Sequence, residues 1–207
     1  MKKHLFLLSI LSISFLTSYS QIKLSLLDGK QIKLESYVFH NYEGYIDYSI
    51  MKKNGKLKNS YADFDDIYSI NLNGVDSIMY QQLVEEEYTI DEMSRIVIAR
   101  QNALNEYKPW WAFASGLVVG CGSLFLPVSG MTYMLVPIVY TASMAFVRPS
   151  NSIIRKRHEA EFNDDLYVYG YRSTGRKKIF KNTTLGVVGG IFVSGIILST
   201  LYLTTEE

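Results

Sequence analysis

Between Lys108 and Arg148 the chain carries no Asp, Glu, Lys, Arg or His, and this uncharged run of 39 residues constrains the fold more than any other feature. A membrane-spanning helix needs about 20 apolar residues at 1.5 Å each, so the run has the length of two helical passes. The break falls at Pro127-Val128-Ser129-Gly130, where proline removes a backbone donor and glycine permits reversal. Residues 110–128 and 131–147 are then the arms of a hydrophobic hairpin within 109–147. Trp110 and Trp111 stand where an aromatic interfacial belt belongs.

A second uncharged run, 183–205, closes the chain and predicts a C-terminal transmembrane helix over 183–207. Ala112, Gly116 and Gly120 recur every four positions, as do Gly186, Gly190 and Ser194. In hydrocarbon such stripes let helix backbones approach closely, within one chain or between copies in a homo-oligomer. Their other source is the general abundance of glycine in membrane helices.

Residues 1–20 have the three parts of a secretory signal: Lys2-Lys3-His4, an apolar stretch from Leu5 to Leu16, and the small polar Thr17-Ser18-Tyr19-Ser20. Its removal before Gln21 would take away two lysines and no acid, changing the formal charge from +1 to −1. Such a balance offers no basic surface for nucleic acid. The single cysteine, Cys121, excludes an intrachain disulfide and a cysteine metal cluster, and is read as a packing residue.

Residues 21–83 have β character, with short alternating apolar runs divided by Asp28-Gly29, Asn54-Gly55 and Asn73-Gly74. Ile22, Leu24 and Leu26 mark the first strand, and the second runs from Ile32 toward Phe39. A third covers 42–51, and 66–72 with 75–80 form a final pair. Five such strands predict a small SH3-like or Sm-like barrel. Tyr37, Tyr42, Tyr45, Tyr48, Tyr61 and Tyr68 are read as barrel filling, with a binding surface as the alternative. His40 is read as an exposed loop histidine. Asp63, Asp65 and Asp66 with Asn59 lack the spacing of a calcium loop and are read as a solvated turn.

Over 84–108 the period changes to helical: Thr89-Ile90-Asp91-Glu92 has capping-box spacing, and Met93, Ile96, Val97, Leu104 and Tyr107 follow before Pro109. The segment 148–182 is a second amphipathic stretch, with nine Lys or Arg against four acids and with Gly170 and Gly175 expected to loosen its helix. Its basic residues Arg155, Lys156, Arg157, Arg176, Lys177 and Lys178 are read as headgroup contacts and topological markers. His158 beside Glu159 and Glu161 lacks the HExxH spacing of a zinc hydrolase. No set of residues has the spacing of a catalytic, metal or cofactor site.

The layout resembles a family of Gram-negative envelope membrane proteins with an exported signal, a small β module, a charge-free hydrophobic pair, a basic linker and a last span. Asp28-Gly29-Lys30, Asp66-Ile67-Tyr68-Ser69-Ile70, residues 99–107, and Tyr167-Val168-Tyr169-Gly170-Tyr171 with Arg176-Lys177-Lys178 carry the resemblance. Trp110-Trp111 depart from it, standing where glycines are expected. The resemblance implies an envelope location; none of these motifs is catalytic, and the family has no assigned activity.

The resulting expectation is an α+β membrane protein: a small all-β N-terminal module, then amphipathic helices and two or three transmembrane helices. Its expected place is the bacterial inner membrane, with the module in the periplasm, and its expected partners are the lipid bilayer and another envelope protein. Without convergent acid, base or nucleophile it is read as non-enzymatic. The alternatives are an intramembrane or envelope enzyme, which would need buried ionisable groups that neither apolar run contains, and a small transporter or pore.

Overall fold

The computed structural model describes residues 22–85, 87–126 and 132–204. The chain is α+β, a small antiparallel β module followed by helices that end in one long apolar helix, and it divides into two compact units between Ile90 and Asp91. The expected signal peptide, 1–20, and the expected hairpin reversal at 127–130 lie outside the described residues.

The first unit has seven strands: β1 (Ile22–Leu26), β2 (Gln31–Leu34), β3 (Ser36–His40), β4 (Tyr45–Met51), β5 (Leu57–Asp63), β6 (Ile67–Leu72) and β7 (Val75–Ile78). They form two antiparallel sheets, ordered β2-β1-β6-β7 and β3-β4-β5. The period-two pattern of β1 sends Leu24 inward between Ile32 on β2 and Ile70 on β6. Leu24, Leu34, Ile46, Tyr48, Ala62, Ile67 and Ile70 make one buried cluster that both sheets cover. Asn73 and Gly74 both take positive φ, 57° and 87°, as a tight two-residue turn between β6 and β7 requires.

Two strand assignments from the sequence are corrected. The second strand does not continue to Phe39, because the chain changes sheet at Glu35, whose N–H donates to Ser49 O (2.9 Å). Strand β5 was not expected at all. Of its seven residues only Ala62 is buried, so this sheet-edge strand lacks the alternation by which strands are recognised.

The second unit has five helices: α1 (Ile90–Glu106), α2 (Trp110–Ser123), α3 (Thr132–Met144), α4 (Asn151–Arg157) and α5 (Asp165–Thr204). Helix α5 has 40 residues, about 60 Å at 1.5 Å each. It runs unbroken through Gly170 and Gly175, so the expected loosening does not occur. A side chain at Gly170 would meet the Ile96 carbonyl and one at Gly175 the Pro149 ring, so both glycines are positions of close approach. Ala99, Ala103, Tyr107, Ala112, Ile154, Tyr167, Tyr171 and Ile179 form the unit's buried core.

Among the described residues α5 is the one helix long and apolar enough to cross a membrane. Helices α2 and α3 have 14 and 13 residues, about 21 and 20 Å, against a hydrocarbon core of about 30 Å.

Candidate functional site

Helices α2 and α5 meet through both small-residue stripes. A Cβ added at Gly116 would strike the Thr183 carbonyl oxygen, and one at Gly120 the Val187 carbonyl oxygen. From the other side, Gly186 faces the carbonyl of Phe113 and Gly190 that of Leu117. Ala112 is fully buried. Ser194 Oγ lies 3.0 Å from Cys121 O and 2.9 Å from Gly190 O, and Cys121 Sγ donates to Gly190 O (3.3 Å). Residue numbers rise together along both helices, so α2 and α5 run parallel.

Around the C-terminus of α1 the structure gathers polar groups from three helices. Lys178 Nζ donates to Leu104 O (2.7 Å) and Ala103 O (3.2 Å), while Arg157 Nη1 donates to Glu106 O (2.7 Å). Two of the expected interfacial cations therefore satisfy last-turn carbonyls that a helix leaves without partners, where its dipole also favours positive charge. Burial, and then the neighbouring charges of Lys108 and Lys181, hold the Lys178 ammonium below its ordinary pKa. Arg155 instead lies over the Phe162 ring at 5.5 Å, and Lys156, Lys177, Trp110 and Trp111 are exposed.

His158 pairs with neither Glu159 nor Glu161. Its Nε2 donates to Glu106 Oε2 (3.1 Å), and its ring lies 5.4 Å from Tyr167 and 5.6 Å from Tyr171. Asn102 Nδ2 donates to Tyr167 Oη (2.8 Å), yet burial pushes that phenol up to about 12. Burial also raises Tyr171, against the pull of the Arg157 charge. Its buried hydroxyl has no hydrogen-bond partner within bonding geometry among the described residues. A histidine–carboxylate pair can carry a proton, but here it sits in a wall of aromatic rings and ties α1 to the segment after α4.

In the β module the tyrosines divide. Tyr48 enters the core, whereas Tyr42 and Tyr61 are exposed, so barrel filling does not describe them all. His40 ends β3 rather than sitting in a loop, stacked on Tyr45 at 4.5 Å with Nε2 3.2 Å from Asp47 Oδ2. A groove of about 410 Å³ runs over β3, β4 and β5 past Val38, Asn59 and Tyr61. Asp65 and Asp66 lie in a single 3-10 turn, and no cluster of three or more metal-ligating side chains occurs among the described residues.

Two cavities lie along α5. An apolar groove of about 510 Å³ is walled by Pro137 and Ile138 of α3 and by Phe180, Val187 and Ile191 of α5. A second cavity, about 210 Å³, brings together Arg148, Arg172 and Arg176 with Asp165, Tyr169 and Ser173. Arg148 and Arg172 were not singled out in the sequence. The readable signal was the four-residue interval between Arg172 and Arg176, which puts two like charges on one helix face.

No protein-family model matches the chain, and no curated protein or solved structure is similar to it.

Proposed function

We propose that the protein is a non-enzymatic, membrane-anchored envelope protein whose exported β module binds another envelope component. The observation that carries this reading is the apolar surface of α5, where Leu185, Phe192, Ile196 and Leu201 are each more than half exposed. Each such side chain forgoes roughly 1.5–3 kcal/mol while it faces water, a cost that lipid removes. Val139 of α3 and Val118 of α2 are exposed in the same way, which supports a membrane-buried hairpin beside the span. The composition of residues 1–20 supports export.

The two sheets with their common core and the corner at Glu35 support a small barrel-like module. Binding by that module is supported by the exposed Val38, Tyr42 and Tyr61, since tyrosine offers a large apolar face with a polar tip.

Cell fractionation tests the anchor: the protein should resist alkaline carbonate and yield to detergent. Photocrosslinking residues at Val38 and Tyr61 should capture a discrete adduct in intact cells, with one at Lys53 as control. Release by carbonate overturns the anchor. With the anchor intact, the absence of an adduct at both positions overturns the binding role.

A further inference from the structure

We propose that the second unit holds one anionic phospholipid, its phosphate between Arg148, Arg172 and Arg176 and an acyl chain in the apolar groove beyond them. The inference rests on the membrane reading above and adds a ligand to it.

Three guanidinium groups from two segments line the smaller cavity against a single carboxylate, Asp165. None of the three forms an ion pair among the described residues. Arg172 Nη2 donates to the Asn151 side chain, but its buried Nε has no acceptor among the described residues. Leaving a buried charged donor unsatisfied and placing Arg172 one turn from Arg176 both cost stability unless an anion completes the set. Guanidinium forks suit phosphate oxygens, which accept two parallel bonds from each. Ser173 Oγ donates to Gly170 O (2.9 Å) and so adds no competing proton demand.

The apolar groove lies in line with this pocket. Residues 169, 173, 176, 180, 187 and 191 follow steps of three, four or seven, so all six lie on one stripe of α5. From Phe180 to Ile191 the helix rises about 16 Å, close to the 15 Å or so of one hydrocarbon leaflet. Arg148 immediately follows the apolar run, which places the charge where headgroups lie. Three cations at one end of an apolar channel of leaflet depth match a phosphate joined to an acyl chain. The Asp165 carboxylate would favour an amine headgroup, and one acid against three arginines leaves the balance anionic.

The test uses the purified full-length chain in neutral detergent, with native mass spectrometry after titration with phosphatidylglycerol or phosphatidylcholine. One phosphatidylglycerol should be retained at least tenfold more tightly than phosphatidylcholine. Replacing all three arginines by glutamine should abolish that preference, and Arg176→Gln alone should weaken it severalfold where the triple variant does not fold. R155Q/K156Q/K177Q, which removes exposed charge elsewhere, should leave it unchanged. Ile138→Trp, which fills the groove, should weaken retention with the arginines intact. Equal retention of both lipids, or equal loss in both sets of charge variants, overturns the site. Displacement of the lipid by millimolar inorganic phosphate overturns the acyl-chain half. Carbonate extraction of the same variants reports membrane anchoring separately, so failure of the lipid site and failure of the anchor are distinct results.

Discussion

Gly186 lies against the carbonyl oxygen of Phe113, with the α2 and α5 backbones so close that no side chain fits between them. The same holds at Gly116, Gly120 and Gly190, whereas a Cβ at Gly189 or Gly195 would meet nothing within 4 Å among the described residues. Gly116→Leu with Gly120→Leu, or Gly186→Leu with Gly190→Leu, should therefore lower stability in detergent by on the order of 1 kcal/mol or more. Gly189→Leu and Gly195→Leu should not. Thermal melts of the four variants check this, and equal melting of all would remove the contact.

The β module owes its order to its own core. Residues 21–85 expressed alone should give a β-type circular dichroism spectrum and unfold cooperatively. Leu24 and Ile46 are fully buried, so Leu24→Ala or Ile46→Ala should cost about 2–5 kcal/mol, enough to unfold so small a domain. Val75→Ala, at an exposed edge position, should change little. A monodisperse but disordered fragment would mean that the module needs the rest of the chain.

What was legible follows from which residues face what. Turn dipeptides and the Ile22-Leu24-Leu26 alternation marked the β module because they fix local geometry and one buried face. β5 was hidden because six of its seven residues are not buried. Gly170 and Gly175 look like helix breakers in isolation, and only the close approach of Ile96 and Pro149 shows why they stand inside a helix. Likewise Lys178 and Arg157 belong to basic clusters in the sequence, while their acceptors on α1 lie more than 50 positions away. The arginine pocket is of the same kind, since Arg148 meets Arg172 only once α3 has returned.

Burial pushes Tyr167 up to about 12 and raises Tyr107 and Tyr171 as well. In the unfolded chain these phenols lose their protons near pH 10, before the folded state does, so folded protein binds more protons over that window. The contribution of Tyr167 is full below about pH 10 and is lost as the pH rises toward about 12, and Tyr107 and Tyr171 act in the same sense. Lys178, shifted down by burial, acts in the opposite sense just below its ordinary pKa. Tyr167→Phe removes the acceptor of the Asn102 bond, costing about 1 kcal/mol at neutral pH, and should flatten the alkaline loss of stability. Melting temperatures of wild type and variant across that range provide the measurement, and an equally steep loss in both would exclude Tyr167.

The parallel course of α2 and α5 bears on membrane topology. Phe113 meets Gly186, Leu117 meets Gly190, and Asn182 Nδ2 donates to Pro109 O (3.3 Å), so α2 begins level with Asn182, midway along α5, and both helices point the same way. The chain must then return between them, which α3 does whether the hairpin passes fully across or dips only as far as its 14- and 13-residue helices reach. If α5 crosses the membrane, as proposed above, the basic segment 148–182 shares a side with α1 in either case, and the end of α5 lies opposite. The preference of positive loops for the cytoplasm opposes an exported linker. Arg157 and Lys178 are bound to α1 carbonyls, so these cations stay on the side of α1, which the proposed export of the β module makes the exported side. With Cys121 replaced by alanine, Ser152→Cys and Lys177→Cys should both react with a membrane-impermeant thiol reagent in cells whose outer membrane alone is permeabilised. A cysteine appended after Glu207 should react only once the inner membrane is lysed. Protection of Ser152→Cys and Lys177→Cys until that lysis would place the linker in the cytoplasm and reverse the assignment.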